Sequence, residues 1–176
     1  PGGPAGPAGP EGPGGPAGPA GPAVLVMTGA AAHEEPVART DDEARERMVG
    51  LADALLLDDG EVLFGCEDSV VLHAGGPRIL RRGRGYVLAP VPLPVEGPPV
   101  LGLGGDHDGV FCLTSGREAF PGPRGGDLGS LRGAEVLVDS ILRTADLVGV
   151  RPGIIVHDLD PDLRSTDIAR QLAWLA

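Results

Sequence analysis

The stretch that decides the fold is residues 100–114, which read VLGLGGDHDGVFCLT. Two apolar runs flank a short segment of glycine and aspartate, a pattern that predicts two strands joined by a turn at 105–108. A further short strand, Glu118–Phe120, is expected to pair with 110–114 across Ser115-Gly116-Arg117. The stretch therefore predicts the start of an antiparallel sheet.

Downstream, the hydrophobic period changes to that of a helix over residues 130–148. Its apolar side is predicted to comprise Leu131, Val138, Ile141, Leu142, Ala145 and Val148. A buried strand is expected at Gly153–His157, and a helix at Thr166–Ala176 that Ser165 or Thr166 caps. The chain is thus predicted to be α/β. The order βββαβα over 99–176 is that with which actin-like (ribonuclease-H-like) domains open.

Residues 87–98 are rich in proline and are interpreted as an extended linker between two domains. Before it, residues 23–86 predict a second α/β region. This region is expected to hold a buried strand at the start of 23–31, a helix at 41–57 capped by Thr40 or Asp41, and short strands at 61–64, 69–73 and 78–82. The apolar side of this helix, which is expected to be buried, comprises Met48, Leu51, Ala52, Leu55 and Leu56.

The first 22 residues repeat Gly-Pro-X, with glycine at every third position. They carry almost no apolar side chain to bury and are interpreted as a disordered or polyproline II-like tail. A collagen-like stalk that forms trimers is the alternative, because a strict glycine period also suits a triple helix.

The charge and the cysteine content of the chain exclude several classes of function. The net charge is −11, and all 14 basic residues are Arg, which argues against a nucleic-acid partner and excludes a catalytic Lys in this chain. Two cysteines are too few for a disulfide framework, and no His/Cys cluster suggests a metal. No apolar run is long enough to span a membrane. We therefore expect a cytoplasmic piece of a longer protein.

One basic cluster is distinct in this acidic chain. Arg81, Arg82 and Arg84 fall within four residues and are spaced by glycine, so they are a candidate phosphate-binding site. A solubilising turn is the alternative. Glu67 and Asp68 precede the neighbouring strand. Their carboxylates are expected to pair with an arginine or to contribute to metal binding, and the alternative is that they are surface charges that end a turn.

Two turns offer further candidates. Gly104, Gly105 and Asp106 lie where actin-like ATPases approach nucleotide phosphates and Mg²⁺, although a plain hairpin turn has the same composition. His157 and Asp158 follow the predicted buried strand, where α/β ligands bind, and are candidates for an acid–base or metal site. A strand-to-helix turn is the alternative there.

Several ordered motifs resemble those of the HypF carbamoyltransferases, the hydrogenase maturation factors. The motifs are Val26-Met27-Thr28 with Glu35-Pro36, Cys66–Val71, Leu80–Val87, Phe111-Cys112-Leu113, Gly126-Asp127-Leu128, and His157–Asp162 with Ser165-Thr166. The resemblance runs from about Val24 to Ala176. It implies the C-terminal half of a YrdC-like domain at 23–86 and the N-terminal part of an actin-like carbamoyltransferase domain at 99–176.

The resemblance also implies a chemistry. In that family, carbamoyl phosphate and ATP yield carbamoyl-adenylate, and the carbamoyl group passes to the C-terminal Cys of HypE for nickel–iron hydrogenase maturation. It implies that ATP and Mg²⁺ are the cofactors here, and that zinc is bound only in family regions outside this chain. It adds Thr28 and Ser69 to the nucleotide- and phosphate-binding candidates. It identifies no catalytic residue in this segment.

The chain departs from the family pattern at several polar positions. Family Ser and Asn correspond to Gly29 and Ala31, a second Ser to His33, Lys-Asn-Thr to Asp108-Gly109-Val110, and a His to Arg124. We therefore expect this segment alone to bind ATP weakly and to be inactive. A threonylcarbamoyl-adenylate synthase of the YrdC class, serving tRNA modification, and a non-catalytic scaffold on a collagen-like stalk are the alternatives.

Overall fold

The computed structural model describes residues 24–31, 35–60 and 62–175. The Gly-Pro-X tail, and with it the prediction of disorder or a stalk, lies outside the described residues. The predicted α/β class is confirmed: helices and two sheets alternate along the chain. Within the described ranges, no helix is both long and apolar enough to cross a membrane.

The first helix, α1, spans Asp41–Arg47 and is shorter than predicted. Thr40 caps it by accepting a hydrogen bond from the Glu43 amide. The prediction of a helix to residue 57 is wrong because the chain leaves the helix at Met48 and Gly50 adopts a left-handed φ of 76°. Of the predicted apolar stripe, Met48 is buried, whereas Leu51, Ala52, Leu55 and Leu56 are exposed.

The predicted strand at the start of 23–31 is also wrong. Val24–Met27 are exposed and form no strand, because no strand among the described residues pairs with them. Residues 62–64 likewise form no strand, and Glu61 lies outside the description. An apolar run favours a strand only where a neighbour supplies hydrogen bonds and packing.

The other two strands of this region are present. β1 (Val70–His73) and β2 (Pro77–Arg81) form an antiparallel hairpin across Gly75-Gly76. Almost every residue of both strands is exposed on this two-stranded sheet. The hairpin therefore contributes nothing to the hydrophobic core.

The second sheet is built on two long strands, β3 (Val91–Leu103) and β4 (Phe111–Pro121), which pair antiparallel. Two details differ from prediction. Most of the proline-rich segment is not a linker loop but the first part of β3. Residues 110–120 are not two strands paired with each other, since Ser115-Gly116-Arg117 lies within β4 and Gly116 pairs with Gly97.

The proline-rich part of β3 is tolerated because it lies at a sheet edge. Val100–Gly102 pair with β4 on one side and with β5 (Ile154–Val156) on the other, in the order β4-β3-β5. Residues 91–99 pair with β4 alone, and an unpaired edge does not need the amide that proline lacks. The division of the chain into domains at 87–98 remains a prediction.

α2 (Leu131–Val148) begins and ends as its sequence predicts. Ser130 accepts a hydrogen bond from the Gly133 amide, and Gly149 ends the helix with φ 67°. Its buried face is rotated slightly from the predicted one, since Leu131 is exposed. The predicted Ile141 and Ala145 are buried, and Leu137, which was not predicted, is buried with them. These join β3 and β4 in the core, which comprises Leu101, Leu103, Phe111, Leu113, Leu128, Ala134, Leu137, Ile141, Ala145, Ile168, Ala169 and Leu172.

α3 (Arg164–Gln171) begins two residues before the predicted start and continues as a 3₁₀ turn over Leu172–Leu175. The strand before it, β5, matches the predicted position but is not buried, because it lies at the sheet edge with Ile154 and Val156 about half exposed. Every residue of the core cluster lies between Leu101 and Leu172.

The contact between α1 and α2 is ionic. Glu43 on α1 pairs with Arg47, 2.9 Å apart, and with Arg132 on α2, while Arg39 pairs with Asp139. Burial raises the pKa of Asp139, but hydrogen bonds from the side chains of Arg143 and Arg39 outweigh it, so the pKa lies below its usual value.

Candidate functional site

The arginine cluster lies at the end of β2 and just after it, on a backbone held by Ser69. The Gly83 amide donates to Ser69 Oγ at 2.8 Å, and that hydroxyl donates to the Arg84 carbonyl at 3.0 Å. A Cβ on Gly83 would lie 2.3 Å from the Glu67 carbonyl oxygen, so only glycine fits. Ser69, a predicted phosphate ligand, is therefore placed to hold the cluster in shape.

Each arginine of the cluster has its own partner. Arg81 pairs with Glu67, Nη1 to Oε2 at 2.9 Å, and Arg84 Nε lies 3.7 Å from Asp68 Oδ1. The two carboxylates thus hold arginines, one of the roles the sequence predicts for them. Arg82 donates instead to backbone carbonyls, to that of Tyr86 at 2.6 Å among others.

Two of the three arginines share a cavity, which we call the arginine cavity. It has a volume of about 460 Å³, and Arg81, Arg82 and Arg124 line it. Its wall also includes Gly104, Phe111 and Cys112. Three arginines that line one cavity favour the binding of a small anion there.

The loop after Arg82 brings β2 to β4. The Leu88 amide donates to the Pro121 carbonyl at 3.3 Å, and Leu88 has a left-handed φ of 65° that is uncommon outside glycine. Because Pro121 also lines the arginine cavity, this turn carries the arginine cluster to the end of β4, where Arg124 follows.

Arg84 and Thr28 line a different cavity of about 730 Å³ beside α1. Thr28 is exposed there, next to Gly29, which stands at the position of a family Ser. The predicted phosphate site is thus divided between two cavities, with Arg81, Arg82 and Gly104 in one and Arg84 and Thr28 in the other.

Asp106, at the hairpin tip, caps α3. Its carboxylate accepts from the backbone amides of Arg164, at 2.7 Å, and Ser165, at 2.9 Å. Leu163 at the N-cap position forms no side-chain cap, so Asp106 replaces the predicted Ser165 or Thr166. Burial raises the pKa of Asp106, but these hydrogen bonds outweigh it and the pKa lies below its usual value.

The glycines of the same turn differ in surroundings. A Cβ on Gly104 would lie 2.6 Å from a Val110 methyl carbon, whereas Gly105 is exposed and has open space around its Cα. Asp108 pairs with Arg124. Both carboxylates of the turn are therefore already engaged by groups of this chain.

His157 and Asp158 follow β5 as predicted. His157 Nδ1 lies 2.6 Å from the backbone carbonyl of Asp158, whose side chain is exposed. Thr166 Oγ1 donates to the Asp160 carbonyl at 2.8 Å and closes this turn. No group of three or more His, Cys, Asp or Glu side chains able to hold a metal occurs among the described residues.

In the sequence, Arg124 is marked only by its departure from the family pattern. The structure brings it into the arginine cavity from the loop after β4, more than 40 residues from Arg81 in the chain. The sequence does hold one signal for Arg124. Positions 108 and 124 both depart from the family pattern, and they carry opposite charges, which is consistent with the ion pair between Asp108 and Arg124 in the structure.

Comparisons with known proteins give a consistent picture. A family model for the HypF Kae1-like domain matches residues 95–175, and the Sua5/YciO/YrdC model, described as telomere recombination, matches residues 17–83. Carbamoyltransferase HypF2 of Cupriavidus necator is 43% identical over 154 residues, which are 85% of this chain and 19% of that protein. Carbamoyltransferase HypF of Rhizobium leguminosarum bv. viciae is 34% identical over 151 residues, 85% of this chain and 20% of that protein.

Solved structures agree. Full-length HypF in its phosphate- and nucleotide-bound form superposes with a TM-score of 0.76 at 33% identity, covering 83% of this chain and 24% of that one. HypF of T. kodakarensis gives a TM-score of 0.74 at 26% identity, covering 84% of this chain and 19% of that one. The chain spans about a fifth of the length of the curated relatives it matches. The predicted resemblance is confirmed: in sequence and in fold, this chain is similar to a segment of the HypF carbamoyltransferases that includes YrdC-like and Kae1-like parts.

Proposed function

We propose that the chain is a segment of a carbamoyltransferase that binds the phosphate of carbamoyl phosphate or of ATP in the arginine cavity. The observation that carries the proposal is the presence of Arg81, Arg82 and Arg124 in one cavity beside Gly104. The match to a HypF structure in its phosphate- and nucleotide-bound form supports the same ligand class.

The proposed reaction follows the family. Carbamoyl phosphate, water and ATP give carbamoyl-adenylate, phosphate and pyrophosphate. The carbamoyl group is then transferred to the C-terminal Cys thiolate of HypE with release of AMP, in hydrogenase maturation. The described residues contribute binding, because the guanidinium groups offset the phosphate charge. The free Cys66 and Cys112 agree with a cytoplasmic location.

A role for Mg²⁺ does not fit the hairpin tip of this chain. The Asp106 carboxylate is occupied by two α3 amides, and Asp108 is occupied by Arg124. We therefore assign phosphate binding in this segment to arginines alone.

We propose that this segment is catalytically degenerate by itself. Gly29 and Ala31 cannot form the side-chain hydrogen bonds of the family Ser and Asn. Each lost bond costs about 0.5–1.5 kcal/mol net, so two or three losses weaken nucleotide binding by about one to three orders of magnitude. The alternative function, that of a threonylcarbamoyl-adenylate synthase of the YrdC class, is less well supported, because it does not account for the Kae1-like match at residues 95–175.

Phosphorus NMR tests the proposal directly. Titrating the 176-residue chain into carbamoyl phosphate should broaden the ligand's ³¹P resonance, and Arg81→Ala should abolish the broadening. Arg45→Ala is the matched control, because Arg45 lies on α1 in exposed ion pairs with Asp41 and Asp42. Equal broadening with wild type and Arg81→Ala would contradict the proposal.

A further inference from the structure

We infer that the arginine cavity is an oxyanion site at which two carboxylates of this chain, Glu67 and Asp108, compete with an incoming phosphate for Arg81 and Arg124. The inference deepens the proposed function and rests on it for the identity of the natural ligand. The ligand class is a tetrahedral oxyanion, either free phosphate or a small phosphorylated molecule.

Two ion pairs carry the inference. Arg81 is bound by Glu67 at 2.9 Å, and Arg124 is bound by Asp108. Both arginines line the arginine cavity, whereas neither carboxylate is part of its lining. Glu67 and Asp108 instead line a neighbouring cavity of about 260 Å³, which Arg124 lines as well. The two ion pairs therefore lie where the two cavities adjoin.

The exposure of these pairs makes exchange feasible. The Arg81 and Glu67 side chains are 38% and 51% exposed, and those of Arg124 and Asp108 are 36% and 44% exposed. Ion pairs so open to water are weakly held, because solvent screens them and the long side chains gain freedom on release. An oxyanion that contacts both guanidinium groups replaces two such pairs at once.

Arg82 behaves differently. It donates to backbone carbonyls, that of Tyr86 included, rather than to a carboxylate. No carboxylate of the described residues pairs with it, so its charge attracts the anion whether or not the other two pairs are intact. Because Arg81 ends β2 and Arg124 follows β4, a bound oxyanion also links the hairpin to the second sheet.

Carboxylate-to-amide variants provide the test. Glu67→Gln and Asp108→Asn each remove the competing charge while keeping the side-chain size. Each should bind inorganic phosphate about three- to tenfold more tightly than wild type. Asp146→Asn is the matched control, since it removes the same charge from an exposed pair with Arg151 outside the cavity lining, and should change affinity less than about twofold.

Cys112 supplies a local readout, because it lines the arginine cavity. In a Cys66→Ser background of the full chain, phosphate should slow alkylation of Cys112 by iodoacetamide in a saturable way. Burial raises the pKa of the Cys112 thiol, so the reaction is run at alkaline pH. Calorimetry with inorganic phosphate gives an independent affinity for each variant, and circular dichroism checks that each is folded.

The outcomes separate the two proposals. Tighter phosphate binding by either amide variant, with Asp146→Asn unchanged, supports competition by the two carboxylates. Unchanged affinity in both folded variants overturns it, even if Arg81→Ala still abolishes binding, and that result would leave the proposed function standing. Phosphate binding that tightens in the amide variants, together with no binding of carbamoyl phosphate or ATP, would contradict the proposed function but not the competition.

Discussion

Removal of the Asp106 carboxylate should unfold the start of α3 and lower the stability of the whole chain. The carboxylate accepts from two amides, at 2.7 and 2.9 Å, and Leu163 at the N-cap position offers no side-chain substitute. An N-cap contributes about 1 kcal/mol, and hydrogen bonds to a charged group contribute about 1.5–3 kcal/mol. Asp106→Ala should therefore lower the free energy of unfolding by about 2–3 kcal/mol.

Urea denaturation followed by circular dichroism measures this loss. Asp106→Asn keeps one acceptor and should lose about 1 kcal/mol. Amide hydrogen exchange at Arg164 and Ser165 should accelerate in both variants, while exchange in the centre of α2 should change less. Asp146→Ala is the control, because its ion pair is exposed. If Asp106→Ala were as stable as Asp146→Ala, the capping role would be refuted.

Two further predictions follow from close contacts and from charge. Gly83→Ala should destabilise the chain by about 1–3 kcal/mol in urea denaturation, since its methyl would lie 2.3 Å from the Glu67 carbonyl oxygen, whereas Gly105→Ala has open space and should be near neutral. Asp106 and Asp139 have pKa values below that of the unfolded chain, so their contribution is present above about pH 4 and is lost as pH falls through the folded-state pKa. A double Asn variant should therefore show a shallower loss of stability as the pH falls below about 4 in acid titrations, and an unchanged slope would refute the assignment.

The parts of the fold that could be predicted are those whose signals are local. α2 carries its own start and stop in Ser130 and Gly149, and its turn-by-turn apolar pattern needs no distant partner. The hairpin of β1 and β2 likewise carries its turn at Gly75-Gly76. The bounds of such elements are determined by residues within about 20 positions of one another in the sequence.

The failures are elements that depend on distant neighbours. Val24–Met27 has the composition of a buried strand but no partner among the described residues. The prolines of β3 suggested a linker because the sequence does not reveal that residues 91–99 lie at an edge. Tertiary pairing, rather than local propensity, decided both segments.

The candidate site shows the same limit. The arginine cluster was evident from its spacing, but its division between two cavities was not. Asp106 caps a helix 58 residues away, and Arg124 reaches Arg81 only because the loop at Leu88 returns to Pro121. No local sequence pattern predicts contacts between residues so far apart in the chain.

The central claim is that the arginine cavity binds a phosphoryl group, and a calorimetric titration of ATP, with and without carbamoyl phosphate, tests it most directly. Two charge-assisted hydrogen bonds of about 2 kcal/mol each correspond to a dissociation constant of about 1 mM. The account predicts weak binding of about this strength to the folded chain, lost in Arg81→Ala and retained in Arg45→Ala. No binding at about 10 mM ATP or carbamoyl phosphate, or binding unaffected by Arg81→Ala, would contradict it.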